Sequence, residues 1–276
     1  MKISLVMATI RSTSEVDRFL RHLAVQTYQD YELIVVDQNE DDRLGPILKP
    51  YETQLPIVRL RSERGVSRSR NKGLGAITGD IVAFPDDDCW YDPDVLAAVV
   101  ELFKARPELD VVTGRSVDLA GNDSAAKFDR TEGYVDKTNV WRRAISYTIF
   151  HRRSVADRLG GFDEEIGVGA NSIYLSGEET DYVLRALPRC IVYYYPSLTV
   201  NHPNPVRAYT PQVIDRAYKY GCGFGKVVTK HGYSITFKLH HLIKPLIGAA
   251  MYGTFLRFAK SSYYWHSFRG RLRGMR

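Results

Sequence analysis

Apolar residues follow two alternating rhythms through the first half of the chain. Residues 3–8 (I-S-L-V-M-A) form a near-continuous apolar run, the pattern of a parallel strand buried on both faces. Behind it Ser12-x-x-Glu15 has the form of a capping box, and Val16, Phe19, Leu20 and Leu23 follow at helical spacing. Residues 32–37 (E-L-I-V-V-D) predict a second buried strand that ends on a carboxylate, and residues 57–60 a weaker third. A helix is predicted over 66–76, closed by Thr78-Gly79, then a strand over 80–84 that Pro85 must end because it lacks an N–H. Asp92-Pro93 reads as an N-cap with a first-turn proline, ahead of a helix burying Val95, Leu96, Val99, Leu102 and Phe103. Residues 109–113 predict one more strand. Repeated βα units with short connections predict an α/β fold with a doubly wound, mainly parallel sheet.

The rhythm then loosens. Residues 122–136 are polar and read as a loop or an edge hairpin, and 164–177, with Gly167, Gly169 and Gly177, read as a mobile loop. An aromatic strand, V-Y-Y-Y-P-S-L-T-V, covers 192–200, and from Tyr209 onward the pattern is helical and basic. The predicted division is a main domain over 1–208 and a helical, basic C-terminal extension over 209–276.

Composition changes this picture in few places. Of 276 residues, 44% are hydrophobic and 25% charged, which excludes a disordered or fibrous chain. Cys89, Cys190 and Cys222 are odd in number and lack C-x-x-C spacing, so a disulfide scaffold and a zinc ribbon are excluded and a reducing cytosol is expected. The opening apolar run is too short for a secretory signal. Charge is more informative. No Asp or Glu follows Asp215, yet that final stretch holds 12 of the 38 Lys and Arg residues. The first 215 residues therefore carry a net −6, although the whole chain is +6.

Within the extension, residues 245–256 are uncharged, bounded by Lys244 and Arg257. A spanning helix needs about 20 apolar residues, so this run is not expected to cross a bilayer. Two readings stay open: a helix lying in a membrane interface, with Tyr252, Tyr263, Tyr264 and Trp265 at headgroup level, or a soluble helix packed on the domain. Nucleic acid is not an expected partner, because the charge is confined to one end and interleaved with apolar residues.

Ligands of such sheets sit at the carboxyl ends of strands. Three ends here are polar or acidic: Thr9-Ile10-Arg11, Asp37-Gln38 and Asp86-Asp87-Asp88. The last three carboxylates repel one another with no basic residue near them in sequence. A divalent cation, Mg²⁺ or Mn²⁺, would relieve that, while an acidic solvated turn ahead of a helix is the plainer alternative. Gly177-Glu178-Glu179-Thr180-Asp181 reads on its own as a charged helix start, and His202 on its own as a structural histidine.

The order of the pieces adds to this. The chain runs I-S-L-V-M-A-T-I-R, Q-T-Y-Q-D-Y-E-L-I-V-V-D, R-G-V-S-R-S-R-N-K-G-L-G-A-I-T-G-D-I-V-A-F-P-D-D-D, L-G-G-F-D-E, G-E-E-T-D-Y-V-L-R and V-N-H. Over about residues 2–230 it resembles the inverting glycosyltransferases of family 2, which have the Rossmann-like GT-A fold. The resemblance implies a catalytic domain over 1–208, with about 1–115 binding the nucleotide sugar and about 116–208 the acceptor. It implies a metal-dependent, inverting transfer from a nucleotide-diphosphate sugar, first a UDP- or dTDP-sugar, to a saccharide or lipid-linked acceptor hydroxyl. Bacterial polysaccharide or glycolipid assembly is the implied setting, and the basic tail adds the expectation of peripheral contact with the cytoplasmic face of the inner membrane.

Roles follow position by position. Thr9, Arg11, Asp37, Gln38, Arg70, Asp86 and Asp87 are expected on the nucleotide sugar, and Asp88 and His202 on the Mg²⁺ or Mn²⁺ ion. Glu179 is the expected general base and Glu178 the second candidate; Asp163 is expected to be structural. Two positions depart from the family pattern. Gln38 stands where a second acid binds the pyrimidine edge, although its amide can both accept and donate. Glu179 stands where Asp is usual and is one methylene longer. A catalytically inactive, sugar-nucleotide-binding homologue is the alternative these departures suggest. A nucleotidyltransferase is disfavoured, since no Gly-rich loop follows Ala8.

Overall fold

Continuous apolar strands need cover on both faces, and a computed structural model, describing residues 1–204 and 208–276, shows how they obtain it. Among the described residues the strands are β1 (Ile3–Thr9), β2 (Tyr31–Asp37), β3 (Ile57–Arg61), β4 (Ile81–Ala83), β5 (Val111–Val117), β6 (Gly133–Tyr134), β7 (Ile149–Arg152) and β8 (Val192–Asn201). They form one sheet in the order β3-β2-β1-β4-β7-β5-β8-β6. β1 pairs in parallel with β2 and β4, β2 with β3, and β5 with β8. β7 runs antiparallel between β4 and β5, and β6 antiparallel on the β8 edge. The helices are α1 (Ser14–Ala24), α2 (Gly45–Leu48), α3 (Val66–Leu74), α4 (Val95–Ala105), α5 (Val140–Arg143), α6 (Arg153–Leu159), α7 (Glu178–Ala186), α8 (Pro211–Lys230), α9 (Ile235–Thr254) and α10 (Phe258–Gly274).

Strand alternation distributes the core. Ile3, Leu5, Met7, Leu33 and Val35 enter one apolar cluster with Phe19 and Leu20 of α1 and Leu96 and Val99 of α4. Val6, Ile34, Val36 and Phe84 enter another, with Phe162 and Tyr182. The sheet is thus covered on both sides, as the apolar runs require.

Two predicted caps form differently. α1 begins at Ser14 behind Thr13 with no side-chain cap, and the Ser12 hydroxyl bonds the Asp87 carboxylate instead. α4 begins at Val95 behind Asp94, because Asp92 accepts from Asn201 Nδ2 at 2.9 Å. In both cases a long-range partner takes the side chain that the local pattern assigns to a helix end.

One buried charge carries a pH prediction. Glu32, 6% exposed, accepts from Ser4 Oγ at 2.6 Å, Thr78 N at 2.6 Å, Thr78 Oγ1 at 2.7 Å and Lys2 Nζ at 2.8 Å. Burial alone raises its pKa, but these partners outweigh it and hold the group down from 4.5 to about 2. A depressed pKa stabilises the fold above the ordinary value, and that stability drains as pH falls from 4.5 toward about 2. Across this window the wild type is expected to lose about 3 kcal/mol that Glu32→Gln does not lose. Urea unfolding at stepped pH checks it; parallel pH curves for the two proteins would contradict the assignment.

The described chain divides into two compact units. The first holds Met1–Arg64, Arg68–Phe162 and the chain from Tyr182 to 204; the second holds Gly65–Ser67, Asp163–Asp181 and the chain from 208 to its end. In the second unit α8 and α10 cross on glycines. A Cβ on Gly270 would lie 2.0 Å from Tyr218 O, one on Gly274 2.0 Å from Cys222 O, and one on Gly225 2.4 Å from Arg271 O. α9 packs on α10, where a Cβ on Gly248 would meet the Tyr264 ring at 2.8 Å. Among the described residues no helix is long and apolar enough to cross a membrane.

Candidate active site

β4 stops before Pro85, and the chain beyond it makes a parallel bridge from Asp86 to Ala8 of β1. That bridge sets the acidic triplet beside the end of β1, where Thr9 Oγ1 donates to Asp87 Oδ2 at 2.6 Å. An antiparallel bridge between Trp90 and Asn201, closed by two 3.0 Å hydrogen bonds, then brings His202 to the triplet. His202 Nε2 lies 3.3 Å from Asp88 Oδ1.

Each carboxylate has a distinct environment. Arg70, 2% exposed, donates from Nη2 to Asp86 Oδ1 at 2.8 Å, and Ser146 Oγ approaches both Asp86 oxygens. Burial pushes Asp87 up to about 6, with the charges of Asp86 and Asp88 adding and the Thr9 and Ser12 hydroxyls opposing. Burial also raises Asp88, but the hydrogen bond and charge of His202 outweigh it and leave that carboxyl below its usual value. For His202 burial lowers the pKa, and Asp88 reverses this to a net rise. Arg18 Nη2 donates to the Asp88 carbonyl at 2.7 Å, its guanidinium lying 4.4 Å from the Trp90 ring centroid.

His202 is held as a metal-binding imidazole would need to be. Its Nδ1 lies 2.7 Å from the Pro203 carbonyl and its ring stacks on Tyr147, centroids 4.9 Å apart and planes 9° apart. With Nδ1 held at that carbonyl, Nε2 is the nitrogen turned to Asp88; it would have to give up its proton to bind an ion there, with the Pro203 carbonyl keeping the ring oriented as outer partners orient metal-bound histidines. The carboxylate suits Mn²⁺ or Mg²⁺, and the imidazole beside it favours the softer Mn²⁺ of the two. Among the described residues no group of three or more His, Cys, Asp or Glu could hold a metal. Such an ion would therefore draw further ligands from substrate phosphates and water, as Mg²⁺ commonly does.

At the neighbouring strand end Asp37 is fully buried and engaged by protein. Its Oδ1 accepts from Asn39 N and Nδ2, and its Oδ2 from Arg59 Nη2 at 2.7 Å, with Arg61 Nη1 at 2.9 Å. Gln38 follows, its backbone N bonded to Thr9 O. Arg11 has φ 65°, a left-handed conformation held by its N–H on Asn39 Oδ1 at 2.7 Å, and its side chain is exposed.

Glu178 and Glu179 belong to the second unit. α7 starts at Glu178, so both acids sit in its first turn, where the helix dipole favours them. Glu178 is buried and Glu179 half-buried. The loop before them is fastened by Ser67 Oγ to Ile166 O and by Val66 N to Val168 O. Gly167, at φ 119°, has no room for a side chain: a Cβ would meet Val66 Cγ1 at 2.8 Å, Ser67 Oγ at 2.9 Å and Glu178 Cδ at 3.3 Å. In the same turn Asp181, fully buried, pairs with Lys230 at 2.9 Å and His231 at 2.8 Å, and Lys230 also reaches Asp163 at 2.7 Å. The end of α8 thereby anchors the start of α7.

The glycosyl transferase family 2 model matches residues 4–160, more than half of the chain. The chain belongs to glycosyl transferase family 2. An uncharacterized glycosyltransferase of Nostoc is 24% identical over 175 residues, 59% of this chain and 54% of that protein. A glucosyl-dolichyl phosphate glucuronosyltransferase of Haloferax volcanii is 26% identical over 188 residues, 60% of this chain and 58% of that one. The chain thus spans little more than half the length of these curated relatives. Among solved structures, a Pyrobaculum calidifontis mannosyltransferase in complex with GDP-Man and Mn²⁺ aligns with a TM-score of 0.65 at 18% identity, over 98% of this chain and 86% of that one. Residues 1–349 of S. aureus TarS align with a TM-score of 0.62 at 15% identity, over 99% of this chain and 90% of that one. The predicted α/β fold is therefore the fold of this family 2 chain.

The structure gathers Thr9, Arg70, Asp86, Asp87, Asp88 and His202 of the family 2 chain at one end of β1 and β4, and sets Asp37 and Gln38 at the end of β2. Ser12, Arg18, Ser146 and Tyr147 join the cluster without the sequence marking them as site residues. Ser12 is masked there by its capping pattern. Arg18 lies on a helix and Ser146-Tyr147 in a short turn far along the chain, so no local spacing marks them.

Proposed function

We propose that the chain transfers a sugar, with inversion, from a nucleoside-diphosphate donor to the hydroxyl of a saccharide or lipid-linked acceptor, aided by Mg²⁺ or Mn²⁺, in the assembly of a polysaccharide or glycolipid. The observation that carries this is the Asp88–His202 pair, with the histidine's far nitrogen on the Pro203 carbonyl, at the strand end of a family 2 chain. The solved mannosyltransferase complex with GDP-Man and Mn²⁺, and TarS in complex with UDP-GlcNAc, support a nucleotide-sugar donor.

In this reading Arg70 fixes Asp86, the carboxylate assigned to the ribose or sugar. Thr9 and Ser12 fix Asp87 behind it. Gln38 meets the base with one donor and one acceptor, which supports uracil or thymine. Asp88 and His202 would hold a divalent cation, which when bound would supply Lewis-acid neutralisation of the departing diphosphate. Glu179 takes the acceptor hydroxyl's proton as its oxygen forms the bond to the anomeric carbon. The carbon–oxygen bond to the diphosphate breaks on the opposite face, which inverts the centre. Such a base contributes about 10²–10⁴-fold.

A thermal-shift screen tests the donor side. UDP or dTDP with Mn²⁺ is expected to raise the melting temperature by several degrees, since a ligand at about 100 times its Kd stabilises by about 2.7 kcal/mol. EDTA should abolish the rise. No shift with UDP, dTDP or GDP would overturn the donor assignment, and a shift indifferent to EDTA would overturn the metal.

A further inference from the structure

α9 is apolar on both sides. Pro245, Gly248 and Ala249 are buried, with Gly248 set against Tyr264 of α10. Away from them Ile235, Leu239, Ile243, Ile247, Met251 and Phe255 follow at every fourth residue, each between 42% and 68% exposed. This is a continuous i, i+4 ridge that winds, at about 40° per step, across the half of the helix turned away from them. It runs into the next turn, where Leu256 is 73% and Phe258 69% exposed. A surface helix of a soluble domain turns polar residues outward. A row of large apolar side chains on that side marks a surface that something covers.

The charges nearby select the cover. Lys244 and Arg257 are exposed beside the row, Lys260 lies 4.0 Å from the Tyr252 ring centroid, and no acidic residue follows Asp215. A second copy of the chain, docked on this face, would set unneutralised cations against their own kind. A nucleic acid would neutralise the cations but strand the apolar row. An anionic lipid surface answers both, with acyl chains for the row and headgroups for the lysine and arginine. We propose that the exposed face of α9 docks on an anionic membrane surface, lying in the interface without spanning it. The inference stands on the tail alone, so vesicle binding and nucleotide binding separate it from the transfer chemistry.

The test uses the full chain and vesicles of phosphatidylcholine with and without phosphatidylglycerol. The wild type is expected to co-sediment with the anionic vesicles. The exposed triple variant Leu239→Ser/Ile243→Ser/Ile247→Ser should bind at least roughly tenfold more weakly with an unchanged melting temperature. Salt at about 1 M, where the Debye length falls from about 10 Å to about 3 Å, should release only part of the wild type. Lys244→Gln/Arg257→Gln leaves the apolar row intact and should lose most of that salt-sensitive part. The proposal is overturned if the wild type ignores anionic vesicles, or if both variants bind as well as it does. It is equally overturned if sedimentation velocity shows a wild-type dimer that the triple variant dissolves.

Discussion

Asp88→Ala is expected to abolish metal-dependent nucleoside-diphosphate binding and to lower turnover by on the order of a thousandfold, while the melting temperature stays near wild type. Asp88 is the acid that meets His202, whereas Asp86 is taken by Arg70 and Ser146, and Asp87 by Thr9 and Ser12. Removing Asp86 or Asp87 would also strip a buried partner from a neighbouring side chain and disturb the fold, an effect distinct from losing a ligand. Losing the Asp88 carboxylate takes a partner from His202, but the Pro203 carbonyl and the Tyr147 ring still hold that imidazole, so this substitution disturbs the fold least. Isothermal titration of UDP in the presence of Mn²⁺ reads the result directly. Unchanged affinity in the variant would remove Asp88 from the metal site.

Glu179→Gln is expected to lose about 10²–10⁴ in kcat while keeping donor affinity, because a general base acts on the acceptor. The amide keeps the shape and removes the proton-accepting charge. Its neighbour Glu178 is buried under the Gly167 loop, whereas Glu179 is only half-buried in the same first turn. Those positions favour Glu179 as the acid an acceptor can reach. Single-turnover kinetics and UDP titration on Glu179→Gln and Glu178→Gln separate the two. Near-normal kcat in Glu179→Gln, with loss in Glu178→Gln, would reverse the order within the pair.

What the sequence reveals divides along the range of the interactions. β1 and β2 are legible because strands buried on both faces are apolar throughout. The acidic triplet is legible because a proline ends its strand. β7 is not, since four residues of an antiparallel insertion leave no period to count. The caps at Ser12 and Asp92 mislead for a related reason: each has the right local spacing, and each is claimed by a residue distant in sequence. Charge neutralisation fails the same way. The triplet has no basic neighbour along the chain, yet Arg70, Arg18 and His202 all reach it through space. Family resemblance, not spacing, put His202 beside Asp88 on paper. The buried commitment of Asp37 to Arg59 and Arg61 could not be read from residues 22 and 24 positions on.

The glycine seam between α8 and α10 divides the tail's tolerance to change. Where backbone meets backbone, even one methyl group has nowhere to go, so Gly225, Gly270 and Gly274 answer only to the closeness of the two helices. The outward row of α9 bears none of that closure, and its side chains can change without loosening the crossing. Mutational drift in this segment should therefore register two separate selections, one for assembling the helices and one for whatever the outer row touches. A homologue that keeps the glycines but replaces the row with polar residues would be a protein that retained its architecture and gave up its address.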